Sequence, residues 1–522
     1  MIREISRRKC LRLWLCKPEY MERTKWENRF VLLRFRKKNY MMFLKDLKRF
    51  KMERLYDKLK AYSESDFYAF HMPGHKRNKA LLGIELPYDL DITEIDGFDD
   101  LHHADGILKE EQERAARVFG AEESHFLVNG STAGILSAVM GCTHRGDKIL
   151  VARHCHKSIY HAIYMNGLVP RYVYPEFDIS MHMNGEISKE DVAKALAAEP
   201  DIKAVVIVSP NYDGVVSDVK GIAEVAHSYR IPLIVDEAHG PHFGFHLVFP
   251  GRANDLGADV VINSLHKTLP SLTQTAILHI NGKIVNRRRI KKYLDMLQSS
   301  SPSYIFMASL DACVDFVDGK CENAFELYVE RLQKFREELE PLQHLQILRT
   351  EHYDISKVVI STANANITSP ELAERLRKEY HLEMEMTGGT YVLAMTTVAD
   401  TQEGLDRLKA ALLEIDGQLE AKTAVSESIE ISGELPRLEQ YFTPQEAADR
   451  EEDGEAEEIP WKESEGHISL EYAYLYPPGS PVIVPGERIS REAVELLCYY
   501  ETQNLQIEGI QTEGKIKVWK HE

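Results

Sequence analysis

From about residue 111 onward, short apolar runs alternate with stretches of helical periodicity, and this alternation restricts the fold more than any other feature. His125–Val128, Lys148–Val151, Arg171–Tyr174, Ala204–Val208, Pro232–Val235, Asp259–Asn263 and Ala276–Ile280 read as strands. Between them, Glu110–Phe119, His156–Asn166 and Lys220–Tyr229 read as helices. Strands that are apolar throughout have no solvated face. The pattern therefore predicts an α/β fold with a mostly parallel sheet covered on both sides. A second, smaller α/β unit is predicted from helix Leu332–Glu340, strand Lys357–Ser361, helix Pro370–Tyr380, strand Tyr391–Met395 and helix Glu403–Glu414. Ser369 reads as the cap of the Pro370 helix, with proline in its first turn.

The flanks differ. Residues 1–40 carry 13 Lys or Arg against four acids. A disordered arm, a binder of anionic surfaces, and a start chosen upstream of Met41 or Met42 are the three readings. Phe43, Leu44, Leu47, Phe50, Leu55, Leu59 and Tyr62 recur at helical spacing, so 42–62 reads as an amphipathic helix. Residues 445–465 hold ten acids and two bases, which predicts a solvated loop. The expected organisation is a basic extension (1–40), an N-terminal helix and arm (41–110), a large domain (111–330), a small α/β domain (331–420), and an acidic linker with a C-terminal domain (421–522).

The net charge of −18 argues against nucleic acid as a partner, because phosphate binding needs clustered Lys and Arg. No apolar run is long enough to span a bilayer, and Leu11–Cys16 is too short for a secretory signal. The seven cysteines are scattered and odd in number, so a reduced, cytoplasmic setting is expected.

Three short motifs carry the chemistry. Asn129-Gly130-Ser131-Thr132-Ala133-Gly134 lies at a strand-to-helix junction, where small residues let backbone N–H groups approach a phosphate. Alone it also reads as a simple helix cap. Val235-Asp236-Glu237-Ala238-His239-Gly240 ends an apolar strand, the edge at which ligands of parallel sheets bind. Asp236 there could pair with a protonated ring nitrogen, or merely cap a turn. Ser264-Leu265-His266-Lys267-Thr268 follows the strand Asp259–Asn263. A lysine is usually a solvated charge, but one that forms a Schiff base needs a partly desolvated site. His102 with His103, and His239 with His242 and His246, could suit a metal. Loop and cofactor-lining roles account for them better, and no metal is expected.

Asp236 precedes Lys267 by 31 positions. That order and spacing resemble the aspartate-aminotransferase-like fold of pyridoxal-phosphate (PLP) enzymes, fold type I. More narrowly the chain resembles the ornithine/lysine/arginine decarboxylase family, in its shorter Gram-positive form. The stretches that carry the resemblance are Phe70-His71-Met72-Pro73-Gly74-His75-Lys76, Cys155-His156-Lys157-Ser158, Asp236-Glu237-Ala238-His239 and Ser264-Leu265-His266-Lys267. Gln298-Ser299-Ser300-Ser301-Pro302-Ser303-Tyr304, Tyr476-Pro477-Pro478-Gly479 and Pro485-Gly486-Glu487 add to them. Thr268-Leu269-Pro270 stands where relatives often have small residues.

The resemblance implies roles. Lys267 would hold PLP as a Schiff base, Asp236 would keep the pyridine nitrogen protonated, and His156 would stack on the ring, though it could also be a capping histidine. Ser131 and Thr132 would hold the phosphate with Ser264 and His266, His239 would line the ring, and Ser300 would reach the phosphate of a neighbouring subunit. The reaction implied is decarboxylation of lysine, arginine or ornithine to an amine and CO₂, feeding polyamine synthesis, by a homodimer or higher homo-oligomer. The receiver-like domain of longer family members, and the large rings they form, are not expected. Glu487 and the acids of Asp91–Asp100 are candidates to meet the substrate's distal cation, with loop charges and caps as the alternative. Rival readings are an aminotransferase or other lyase on the same fold, which would clamp the α-carboxylate with an arginine such as Arg349, Arg375 or Arg377, and a non-enzymatic binding protein.

Overall fold

The computed structural model describes residues 54–178, 183–421, 434–475, 479–502 and 505–520. Phe43, Leu44, Leu47 and Phe50 of the expected first helix, the basic extension, and Tyr476-Pro477-Pro478 lie outside the described residues. Within them a helix runs Leu55–Ser63, burying Leu55 and Leu59.

Seven strands form the central sheet, in the order Glu123–Leu127, Ala276–Ile280, Val260–Asn263, Leu233–Asp236, Val205–Val208, Lys148–Ala152 and Val169–Val173. Only Ala276–Ile280 runs against its neighbours; the other pairings along the sheet are parallel. The central strands are buried along their whole length, as a sheet covered on both faces requires. The helix Gly130–Cys142 lies close on this sheet. A Cβ at Gly134 would come within 2.6 Å of Leu127, and one at Gly141 within 2.8 Å of the Ile290 backbone. Glycine there lets the helix pack simultaneously on the sheet and on the helix Arg287–Leu297.

The smaller unit is an antiparallel sheet of four strands, Gln346–Leu348, Lys357–Ser361, Tyr391–Met395 and Met386–Thr387. Helices Ser369–Tyr380 and Gln402–Asp416 belong to it. The cap of the first is Thr368, one residue before the expected Ser369. Thr368 Oγ1 accepts from the Glu371 N–H, and the Glu371 carboxylate accepts from the Thr368 N–H at 2.8 Å. This reciprocal box needs Glu at the third helical position, which Thr368 satisfies and Ser369 does not.

The acidic stretch 445–465 is not a loop. It holds the helix Pro444–Glu452, the strand Ala456–Pro460 and a turn of 3₁₀ helix at Trp461–Glu463. The strand pairs with Lys515–Trp519, and Trp461 enters a core with Val482, Ile483, Leu496 and Val518. The acids sit on the solvated sides of elements whose few apolar residues anchor them, so charge density alone misjudged the stretch.

Candidate active site

A cleft of about 690 Å³ opens where the strands Val205–Val208 and Leu233–Asp236 end. Gly130, Ser131 and Thr132, at the start of the helix Gly130–Cys142, form one wall. Glu385 and Met395 of the smaller unit and Ser480 of the C-terminal part close it.

Lys267 sits on a single helical turn, Leu265–Thr268, directly after the strand Val260–Asn263. Its Nζ is 2.8 Å from His239 Nε2. Burial pushes its pKa down, and Asp236 and Glu385 oppose the shift. Asp236 closes the neighbouring strand and accepts the Ala238 N–H at 3.1 Å. Burial raises its carboxyl, with Lys267 and the Ala238 N–H acting against it.

His156 lines the cleft and also caps the helix Lys157–Met165. The Ser158 N–H donates to its Nδ1 at 3.2 Å, which leaves the ring proton on Nε2. Burial, with Lys267 and Lys157 nearby, holds this imidazole down at about 4, so it is neutral at neutral pH. The capping reading of His156 therefore holds, on a side chain that also faces the cleft.

Ser131, Thr132, His239 and His266 also line the cleft. His266 Nδ1 donates to the Thr275 carbonyl at 2.9 Å, so its Nε2 can donate to an anion only as imidazolium. Ser264 is fully buried and does not line the cleft, and its Oγ has no hydrogen-bond partner among the described residues.

Three sets of residues fall elsewhere. Ser300 is exposed and off this cleft. Glu487, expected to meet the substrate, is fully buried and also off the cleft. It pairs with Arg153 at 2.9 Å and accepts the Val484 N–H at 2.8 Å. Both bonds fall on Oε2, so in this structure Glu487 is the counter-charge of Arg153 rather than part of the cleft wall. Among the acids of 91–100, Asp91 meets His75 at 3.2 Å, while Asp99 accepts the N–H groups of Gly106 and Leu108. Cap and loop roles fit these.

Several cleft residues carried no signal in the spacing. Asp213 accepts from Tyr391 Oη at 2.5 Å, and burial lifts its carboxyl to about 6. Tyr212 donates to Glu385. Asp213, Asp236 and Glu385 together set three carboxylates on one cleft. Their positions, on two connections and a strand end, come together only in the fold. Lys357, fully buried beside His239, was also missed; its one clue was a lysine opening a strand with the apolar run Val358-Val359-Ile360.

The Orn/Lys/Arg decarboxylase major-domain model matches residues 53–421, and that family's C-terminal domain model matches 432–514. The chain belongs to the Orn/Lys/Arg decarboxylase family. It is therefore an amino-acid decarboxylase. The arginine decarboxylase of Bacillus subtilis (strain 168) is 33% identical over 471 residues, which cover 87% of this chain and 95% of that protein. A lysine decarboxylase of Pseudomonas aeruginosa is 25% identical over 552 residues, covering 83% and 73%. The solved constitutive lysine decarboxylase of Escherichia coli superposes with a TM-score of 0.77 at 20% identity, over 96% of this chain and 86% of that one. These likenesses show the fold as aspartate-aminotransferase-like, fold type I.

This decarboxylase keeps buried histidines neutral, with a consequence for acid stability. His154, on the cleft wall, is held at about 4, and His279, in the sheet, at about 3, both by burial. In the unfolded chain each titrates near 6.5. Below that pH the unfolded state binds protons that the folded state refuses, so stability falls. The contribution is complete above pH 6.5 and is lost on descending towards pH 4 for His154 and pH 3 for His279. At pH 5 the loss is about 2 kcal/mol per histidine. Urea unfolding at pH 7 and pH 5 measures it, and His279→Gln should flatten the decline. An unchanged slope in that variant would remove His279 from the account.

Proposed function

We propose that this decarboxylase acts on arginine, releasing CO₂ and the corresponding amine, with pyridoxal phosphate held at Lys267. The observation that carries the reading is Lys267 itself, a buried amine at the end of a sheet strand, with the Asp236 carboxylate on the adjacent strand.

The residues present fit the cofactor. Lys267 is a buried amine lining the cleft, as a Schiff-base lysine needs. Ser131 and Thr132 bring a helix N-terminus to the cleft, suited to the cofactor's phosphate. Asp236 is a buried carboxylate that a protonated ring nitrogen would neutralise. When bound, pyridoxal phosphate supplies an electron sink for the pair left behind as CO₂ departs.

The chain's own groups do the rest. Lys267, with its ammonium form disfavoured by burial, offers a nucleophilic amine and a nearby proton donor for the substrate Cα. His239 Nε2 exchanges a proton with it at 2.8 Å. His156, neutral and fixed by Ser158, presents a flat ring that limits rotation of whatever stacks on it. Ile135, Val208 and Ala238 supply apolar wall that excludes water.

Arginine is favoured over lysine and ornithine on two grounds. Identity is 33% to an arginine decarboxylase against 25% to a lysine decarboxylase. Glu385 and Asp213 also offer carboxylates on the cleft to a planar guanidinium, whose fork matches such oxygens. Among the described residues no arginine lines the cleft, which favours decarboxylation over a reaction that clamps the α-carboxylate with an arginine. Arg375 instead bonds Gln418 and Glu379 on the surface.

The same reading makes the enzyme a homodimer in which Ser300 reaches the neighbouring subunit's phosphate; its exposure suits that role. Free cysteines at Cys142, Cys155, Cys313, Cys321 and Cys498 fit a reduced cytoplasm, and the amine product would feed polyamine synthesis.

Purified protein with pyridoxal phosphate, offered arginine, lysine and ornithine in parallel, should release CO₂ fastest from arginine. Keto acid in place of CO₂ would overturn the reaction, and a preference for lysine would overturn the substrate. Glu385→Gln should raise KM for arginine roughly tenfold with a smaller change in kcat, the scale of one charge-assisted hydrogen bond. An unchanged KM would move the distal cation elsewhere.

A further inference from the structure

His239 stands in the middle of a file of three basic groups. Its Nε2 is 2.8 Å from Lys267 Nζ, and its Nδ1 is 2.9 Å from Lys357 Nζ. Lys267 belongs to the large domain, and Lys357 opens the strand Lys357–Ser361 of the smaller unit. A neutral imidazole has one N–H and one lone pair. It can accept from one ammonium, but it must donate to the other amine, and only an uncharged amine accepts. An imidazolium would need both amines uncharged. The two contacts therefore allow at most one charged lysine.

Lys357 is fully buried. Asp354 lies on the turn before it, accepting from the Ser356 N–H at 3.0 Å and facing His242 at 3.2 Å. Asp213 and Glu385 face it from the cleft side, the Tyr212 ring lies 5.7 Å from its Nζ, and Tyr353 Oη donates to its carbonyl. Burial brings the Lys357 ammonium down to about 8, with Asp354 opposing and Lys267 adding to the shift. Burial also holds His239 well below its ordinary value, with both lysines adding to the effect.

We propose that Lys357 is a positioning residue that shares one positive charge with Lys267 through His239, so that Lys267 can become neutral without releasing a proton into the cleft. The step balances. Lys267 Nζ gives a proton to His239 Nε2, and His239 Nδ1 gives its own proton to Lys357 Nζ. One N–H bond breaks and one forms on the imidazole, and the charge of the file is unchanged. The inference rests on the reading of Lys267 as the reactive amine.

The test is the pH dependence of Lys267 acetylation by trace acetic anhydride, read by mass spectrometry on the full chain stripped of cofactor with hydroxylamine. In Lys357→Met the charge has nowhere else to sit and the like charge is gone. The midpoint for Lys267 should rise by about one pH unit. In Lys357→Arg, whose cation is permanent, the midpoint should stay at or below the wild-type value. A Lys357→Met midpoint equal to or below wild type overturns the relay. Should that variant not fold, the wild-type curve decides. A shared charge makes Lys267 titrate in two steps, and a single step overturns the proposal. A wild-type Lys267 that labels like an ordinary lysine, near pH 10.4, would count against the active-site reading as well.

Discussion

Lys267→Ala should abolish CO₂ release, with a loss on the order of 10⁴-fold or more, the scale seen when a covalent catalytic group is removed. The absorbance of the lysine-bound cofactor should vanish with it. Stability should not fall, because the substitution removes a buried amine whose charged form burial disfavours and which lies in one file with a second lysine. CO₂ release, the absorbance spectrum and thermal unfolding, measured on one preparation, separate the outcomes. A variant that keeps the spectrum would place the Schiff base on another lysine, with Lys357 the first to examine. A variant that unfolds would show that Lys267 is structural.

Glu487→Gln should cost about 3–5 kcal/mol of stability, because it leaves Arg153 buried without its counter-charge. The two side chains are fully buried and 2.9 Å apart. Arg153 also donates to the Val482 carbonyl at 2.9 Å and lies 4.8 Å from the Tyr172 ring. Arg153 follows the strand Lys148–Ala152 of the central sheet, while Glu487 belongs to the C-terminal part, so the pair ties one to the other. Urea unfolding measures the loss. The double variant Arg153→Met with Glu487→Leu should recover most of it, since an apolar pair of similar volume leaves no stranded charge. A stability change under 1 kcal/mol, joined to a raised KM, would return Glu487 to the substrate-binding role that its sequence context suggested.

Glu487 shows where sequence reading runs out. The motif Pro485-Gly486-Glu487 marks a functional-looking turn, but its partner Arg153 lies 334 positions away. Charge pairing across such a distance leaves no periodic trace, so an acid near a family motif reads as a ligand contact. Lys357 failed in the same manner. The strand Lys357–Ser361 was legible with its bounds intact, yet nothing in it says that the lysine faces His239 rather than water. The stretch 445–465 failed for a different reason. Its composition is that of a solvated segment, while the core that Trp461 shares with Val482 and Val518 and the pairing of Ala456–Pro460 with Lys515–Trp519 are tertiary.

The sequence by itself determined most strands of the two α/β units and several of their helices, because apolar runs and helical periodicity follow from local burial. It also determined the spacing of Asp236 and Lys267 at two strand ends, since parallel strands deliver their following residues to one edge. Only the tertiary structure decided that Asp213 and Glu385 share the cleft, that Glu487 is sealed against Arg153, and that His239 stands between two lysines. Each of these depends on which distant side chains are brought out of water together, and desolvation, not residue type, then sets what a charged group can do.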